Sequence, residues 1–134
     1  MKQEQKDLLL KDLCARLPYG VKYECSDIKN IWKLNAILTK RQDDGVFLDI
    51  YNHLDLCKPY LFPISSMTEE QNDSWRDAFM NDLAMSASIN YPESEKYLVL
   101  SHVKSMQWLY ENHFDVNGLI DKGLAIDATG LNIY

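Results

Sequence analysis

The chain has 134 residues, 46% of them hydrophobic and 25% charged, with a formal net charge of −6. That length is one domain's worth, enough to bury roughly two-thirds of the unfolded surface around a single core, and the composition excludes a disordered or low-complexity chain. Three cysteines without paired spacing exclude a disulfide framework and suit a reducing compartment, and the N-terminal "MKQEQKDLLLKDL" is too short an apolar run for a secretion signal or a membrane span, so a cytoplasmic protein is expected.

Taken in chain order, Leu10, Leu13, Cys14 and Leu17 recur at helical spacing and predict an amphipathic helix over 3–16, with Lys6, Asp7, Lys11 and Asp12 towards water. Pro18 and Gly20 stop it. Val21, Tyr23 and Cys25 alternate with Lys22 and Glu24, the period of a half-buried strand, so Cys14 and Cys25 are both expected on apolar faces. Trp32, Leu34, Ala36 and Leu38 alternate in the same way, as do Val46, Leu48 and Ile50. Asp44-Gly45 between them is a favourable turn pair, which predicts a hairpin over 31–51 with Trp32 on its apolar face.

Pro59 and Pro63 bias 57–66 towards extended backbone and oppose a helix through "HLDLCKPY". Thr68 with Gln71 forms a capping pair for a helix whose buried stripe is Trp75, Ala78, Phe79 and Leu83, fading near 86–90 ahead of Pro92. The short "YLVL" run at 97–100 reads as a strand, after which Ser101 caps a further helix with Val103, Met106, Leu109 and Tyr110 inward. The C-terminal "NGLIDKGLAIDATGLNIY" mixes glycines with small apolar clusters and predicts short turns laid on the body. No linker or internal repeat interrupts the chain, so residues 1–134 form one globular domain.

Several constellations invite chemistry. Zinc needs about four converging ligands, and Cys25, His53, Cys57 and His102 supply the residue types without the paired spacing that fixes two ligands in one turn. His53 and Cys57 would share a face only on a helix, so no metal site is expected. In "NHFD", Asp115 stands near His113, and a carboxylate can orient an imidazole for acid–base work. These two are the only catalytic candidates. The competing reading makes His113 a helix-end residue, Phe114 an anchor and Asp115 a turn former. Ser65 and Ser66 lack the strand-turn-helix setting of a nucleophile elbow, and the five glycines form no phosphate-binding fingerprint, so no cofactor is expected.

The stretches "LLLKDLCARLPYGVK" (8–22), "CKPYL" (57–61), Pro63, "SSMTEE" (65–70), Trp108-Leu109, "NHFD" (112–115), "GLI" (118–120) and "GLA" (123–125) resemble a family of short uncharacterised proteins found in gut Bacteroides and their phages or integrated elements. They total 39 of 134 positions, and residues 23–56 depart from the family's pattern, where a more acidic stretch stands. The resemblance implies a bacterial cytosol and a phage or mobile-element setting. It brings no catalytic residue to any position.

Charge separates the remaining functional readings. Residues 1–41 hold nine Lys/Arg against five Asp/Glu, and residues 42–134 hold five against fifteen. A basic face for nucleic acid is one use of that split; two segments that complement each other within one fold is the other, and it is favoured because nucleic-acid modules are usually basic throughout. The expected architecture is α+β: an N-terminal helix, an antiparallel sheet with a central hairpin, and two later helices packed on one face. The expected role is a non-catalytic protein-interaction module whose partner is another protein. The alternatives are a nucleic-acid binder using the basic first third, and a small hydrolase-like enzyme using His113 and Asp115.

Overall fold

The structure, a computed structural model, describes every residue except 26–27, 35–40, 44–45 and 49–50, and describes the backbone alone at 28–30, 41–43, 46–48 and 51–52. Helix α1 (Gln3–Arg16) spans the predicted residues and ends in a 3-10 turn at Leu17–Tyr19, with Gly20 left-handed at φ 66°. Its buried stripe lies one position away from the predicted one. Leu9, Asp12, Leu13 and Arg16 face inward, and Cys14 is exposed. The shift follows from Asp12 and Arg16, which neutralise each other and enter the core as a pair, a use of charge that hydrophobic periodicity cannot reveal.

Strand β1 (Lys22–Cys25) alternates as expected, with Tyr23 and Cys25 buried. It sits between β2 (Ile28–Lys33) and β5 (Cys57–Leu61), antiparallel to both. The short strands β3 (Arg41–Asp43) and β4 (Val46–Leu48) form a separate two-stranded hairpin. This corrects the predicted hairpin: Trp32, expected on one of its arms, lies instead on β2 opposite Tyr23 of β1, and the strand that pairs with β4 is Arg41–Asp43 rather than the run through Ala36 and Leu38, so the hairpin stands apart from the main sheet instead of leading it. The predicted strand residues Ala36 and Leu38 and the turn pair Asp44-Gly45 lie outside the described residues. Residues 51–56 make 3-10 turns with a kink at His53, and Cys57 opens β5 directly after them.

The main sheet is mixed, which corrects the antiparallel expectation. Its order is β2-β1-β5-β6, and β6 (Ile126–Asp127) runs parallel to β5 through Tyr60 and Leu61. This strand comes from the glycine-rich C-terminus, whose two residues of pairing are too few to register as an alternating pattern. The Ala128 N–H donates to the Leu61 carbonyl at 2.8 Å and continues the tie. Leu9 and Leu13 from α1, Val21, Tyr23 and Cys25 around β1, Cys57 and Leu61 on β5, and Leu119 and Leu124 from the C-terminal turns make one core.

Helices α2 (Glu69–Ser88) and α3 (Glu93–Glu111) complete the α+β fold. Thr68 caps α2 as predicted: its hydroxyl accepts the Gln71 N–H at 3.1 Å while the Gln71 side chain accepts the Thr68 N–H at 2.9 Å. Residues 97–100 are helical, not a strand, and Ser101 is buried inside α3 rather than capping it. A run of four apolar residues is ambiguous by itself, and the helix that begins at Glu93 decides the matter.

Candidate functional site

His113 and Asp115 flank Phe114, and the structure gives them separate partners. Both Asp115 oxygens accept backbone N–H groups, from Leu119 at 2.8 Å and Ile120 at 2.9 Å. The carboxylate thus closes the turn leading to Gly118 and beyond. His113 adopts a left-handed φ of 65° and stacks on Tyr134, ring centroids 3.7 Å apart and planes within 11°. Burial of the ring, with the Arg16 and Lys22 cations contributing, lowers its pKa to about 4. The neutral imidazole is therefore the resident form at neutral pH. The two side chains act as structural partners in separate networks.

Tyr134 itself is held hard: its hydroxyl donates to the Tyr60 carbonyl at 2.7 Å and accepts the Lys22 N–H at 2.9 Å. Lys22 returns a bond from Nζ to the Ile133 carbonyl at 2.6 Å. Close by, Arg16 donates to Asp12 at 2.6 Å and 3.1 Å and to the Phe114 carbonyl at 2.6 Å, with both members of the ion pair fully buried. Asn117 donates a further bond to Asp12 at 2.9 Å, and the guanidinium lies 4.9 Å from the Tyr110 ring centroid. One element from each end of the chain is thereby fastened to the same spot.

The four residues weighed as zinc ligands separate into three places. Cys25 and Cys57 face each other across β1 and β5 and are buried; His53 is exposed on the turn before β5, and His102 is exposed on α3. Among the described residues no group of three or more His, Cys, Asp or Glu side chains lies close enough to hold a metal ion.

The basic first third is also partly consumed by structure. Arg16 is paired inside the core and Lys22 is tied to the C-terminal segment. Lys2, Lys11 and Lys33 remain exposed and Lys6 is half-buried, and the side chains of Lys29, Lys40 and Arg41 lie outside the described residues.

The α2–α3 hairpin has a different character. Each helix is about 30 Å long at 1.5 Å per residue, and they run antiparallel against one another. No residue of α2 is fully buried, and in α3 only Ser101 and Leu109 are. The seam follows helical spacing through Asn72, Trp75, Phe79, Asp82 and Ser86 on α2 and Tyr97, Ser101, Ser105 and Trp108 on α3, all at least half-buried. Trp75 donates its indole N–H to the Ser105 carbonyl at 3.3 Å, and Lys104 meets Asp82 at 2.5 Å. Asp82, one position before the predicted Leu83, thus occupies a seam position.

The outer half of the hairpin is apolar on its outside. Met80, Leu83, Met85, Tyr91, Leu98, Val99, Leu100 and Val103 are all exposed, eight of the thirteen exposed large hydrophobic residues among those described. Leu98 and Val99 are 53% and 56% exposed, and Tyr91 at the tip 78%. The residues of "YLVL" point round most of the helix circumference, since consecutive positions differ by about 100°. One antiparallel neighbour can cover only one stripe. Tyr97 takes that stripe and the other three face outward. Grooves beside Leu98 and Val99, of ≈ 480 Å³, and beside Val99 and Leu100, of ≈ 670 Å³, mark the two flanks. The signal was present in the sequence as a helix segment apolar all round, followed by Ser101 and Ser105 where a buried stripe would carry leucine.

Negative charge surrounds this patch on both halves of the hairpin. Residues 69–111 contain eight Asp/Glu and three Lys/Arg, so the hairpin holds −5 of the chain's −6. The half nearer the body carries Glu69, Glu70, Asp73, Asp77 and Glu111 with Arg76 and Lys104, and the outer half carries Asp82, Glu93 and Glu95 with Lys96. No helix among the described residues is long and apolar enough to cross a membrane. Comparisons with family models, with curated proteins and with solved structures give no match.

Proposed function

We infer that the protein is a non-catalytic interaction module that docks another protein through the outer half of the α2–α3 hairpin. The observation that carries this reading is the apolar outside of the hairpin's outer half: leucine, valine and methionine face outward there, while the seam beneath mixes Phe79 and Tyr97 with Asp82, Ser86 and Ser101. Exposed apolar area collected in one place marks an interaction surface. Methionine and leucine on a helix face also suit a groove-and-helix mode of recognition.

The acidic collar selects the occupant. A partner segment with an apolar helical face flanked by Lys or Arg gains both burial and charge complementarity. The same collar repels a phosphate backbone and an anionic lipid surface. A bacterial setting of phage or mobile-element origin is the context suggested by the family resemblance.

The test is affinity capture from native-cell lysate with the intact chain and with a Leu98→Glu, Val99→Glu variant, followed by cross-linking and sedimentation. Support is a captured protein that the variant loses, that high salt releases, and that cross-links to residues 80–103 through an apolar segment flanked by basic residues. Concentration-dependent dimers abolished by the same variant would instead make a second copy the occupant and overturn this assignment.

A further inference from the structure

We propose that Cys25 and Cys57 form a modification site: a buried dithiol that a low-molecular-weight disulfide of the glutathione type converts reversibly into a cross-strand disulfide.

The register carries the argument. β1 and β5 pair Tyr23 with Pro59, Glu24 with Lys58 and Cys25 with Cys57. Pro59 has no N–H to offer Tyr23, and the Leu34 N–H donates to the Val21 carbonyl at 2.8 Å, which makes that pair a bonded one and by alternation turns the Tyr23 backbone groups towards β2, leaving Tyr23–Pro59 a non-hydrogen-bonded pair. Pairs alternate along an antiparallel ladder. Cys25 and Cys57, two steps away in an unbroken register, are therefore also non-hydrogen-bonded, the closer kind, with Cα atoms about 4.5 Å apart. A disulfide spans about 4.4–6.8 Å between Cα atoms, so the pair fits at the short end of the range. Both side chains occupy the same buried face, and both are free thiols.

Access sets the rate. Burial, with the neighbouring Cys25 thiol and then Asp55 adding to it, pushes the Cys57 thiol up to about 12, so its thiolate is scarce at neutral pH. Reaction waits on opening of the ladder, and the register shift of β1 against β2 between Glu24 and Cys25 places a weak point beside the pair. Once exposed, one cysteine loses its proton and attacks a sulfur of the reagent, breaking its S–S bond and releasing one thiol. The second cysteine then attacks the mixed disulfide and releases the other. Two electrons pass from the protein sulfurs to the reagent, and the two protons finish on the released thiols. The new bond encloses residues 26–56 and joins the end of β1 to the start of β5.

The test uses the full chain with Cys14→Ser, which removes the exposed thiol. It is incubated with oxidised glutathione, with and without urea below the unfolding transition, then alkylated and mapped by mass spectrometry. The expected result is a monomer losing two hydrogens, a Cys25–Cys57 cross-linked peptide that forms faster in urea, reversal by dithiothreitol, and a Tm raised by about 10 °C from the closed loop. Cys57→Ala should show no rise on the same treatment. Finding both cysteines still alkylatable, carrying only mixed glutathione disulfides, or joined between chains would overturn the proposal. None of these readouts depends on the partner-docking arm.

Discussion

The body and the hairpin arm spend their residues in opposite ways. In the body even charged groups are committed inward: Asp12 and Arg16 bond each other, Asp115 closes a turn, and Lys22 with Tyr134 fastens the last residues to β1 and β5. In the arm many hydrophobic groups face outward: Leu98, Val99 and Leu100 are exposed, while Phe79 and Tyr97 share the seam with serines and Asp82. His113 and Asp115 both belong to the body, where the first stacks on Tyr134 and the second closes a turn.

The sharpest way to break this comparison is to remove one partner of the buried ion pair. Asp12→Ala leaves the Arg16 cation in the core with only the Phe114 carbonyl and the Tyr110 ring for company. The expected loss is about 3–5 kcal/mol, read as a lower urea midpoint. Replacing the pair together, Asp12→Leu with Arg16→Met, is expected to cost far less, because no charge is then stranded. A result in which the single change is harmless would mean the body is not built round this contact.

Next comes a matched truncation in the two regions. Leu61 is fully buried on β5, and Leu61→Ala should cost about 2–5 kcal/mol through lost burial and a residual cavity. Leu98→Ala on the arm removes the same atoms from a half-exposed site and should change stability by no more than about 0.5 kcal/mol. Equal costs would show that the arm packs on the body as tightly as the core does.

Acid sharpens the contrast further. The folded His113 titrates near 4, below the usual 6.5, so between those values the unfolded chain binds the extra proton. Stability is therefore fully present above about pH 6.5 and declines as pH falls towards 4. Because the ring is only part-buried, solvent screening reduces the effect to about 1–2 kcal/mol. His113→Asn tolerates the left-handed backbone and should flatten the pH 4–6.5 part of the stability profile, measured by urea titration at stepped pH. A variant profile that falls as steeply as the parent's would assign that pH dependence to other groups.

How much of this was legible in the sequence depended on whether the pattern was local. Helix α1 and the Thr68 cap of α2 announce themselves through spacing and cap chemistry within a few residues. Strand β1 does the same. The buried Asp12 could not be seen that way, since its partner Arg16 is nearby but its third donor, Asn117, is more than a hundred positions on. Strand β6 owes its existence to Tyr60 and Leu61, not to its own two residues. The arm's surface was hidden differently: "YLVL" satisfies a strand and a helix equally, and only the structure shows that three of its four residues are exposed.

The smallest expected effect on stability tests the arm directly. Leu98→Ser with Val99→Ser removes two exposed apolar side chains and adds no charge, so the body's core and its buried polar network keep every contact. Helix propensity changes little, since serine and valine rank close together and leucine is only modestly better. The expected outcome is a urea midpoint within about 0.5 kcal/mol of the parent, together with loss of the captured partner. An arm residue that mattered only for folding would give the reverse, a lower midpoint with capture retained by the folded fraction. Neutral stability with undiminished capture would move the docking surface off the tip, towards the groove of ≈ 360 Å³ where Met67, Asn72 and Trp75 meet Leu109 at the arm's base.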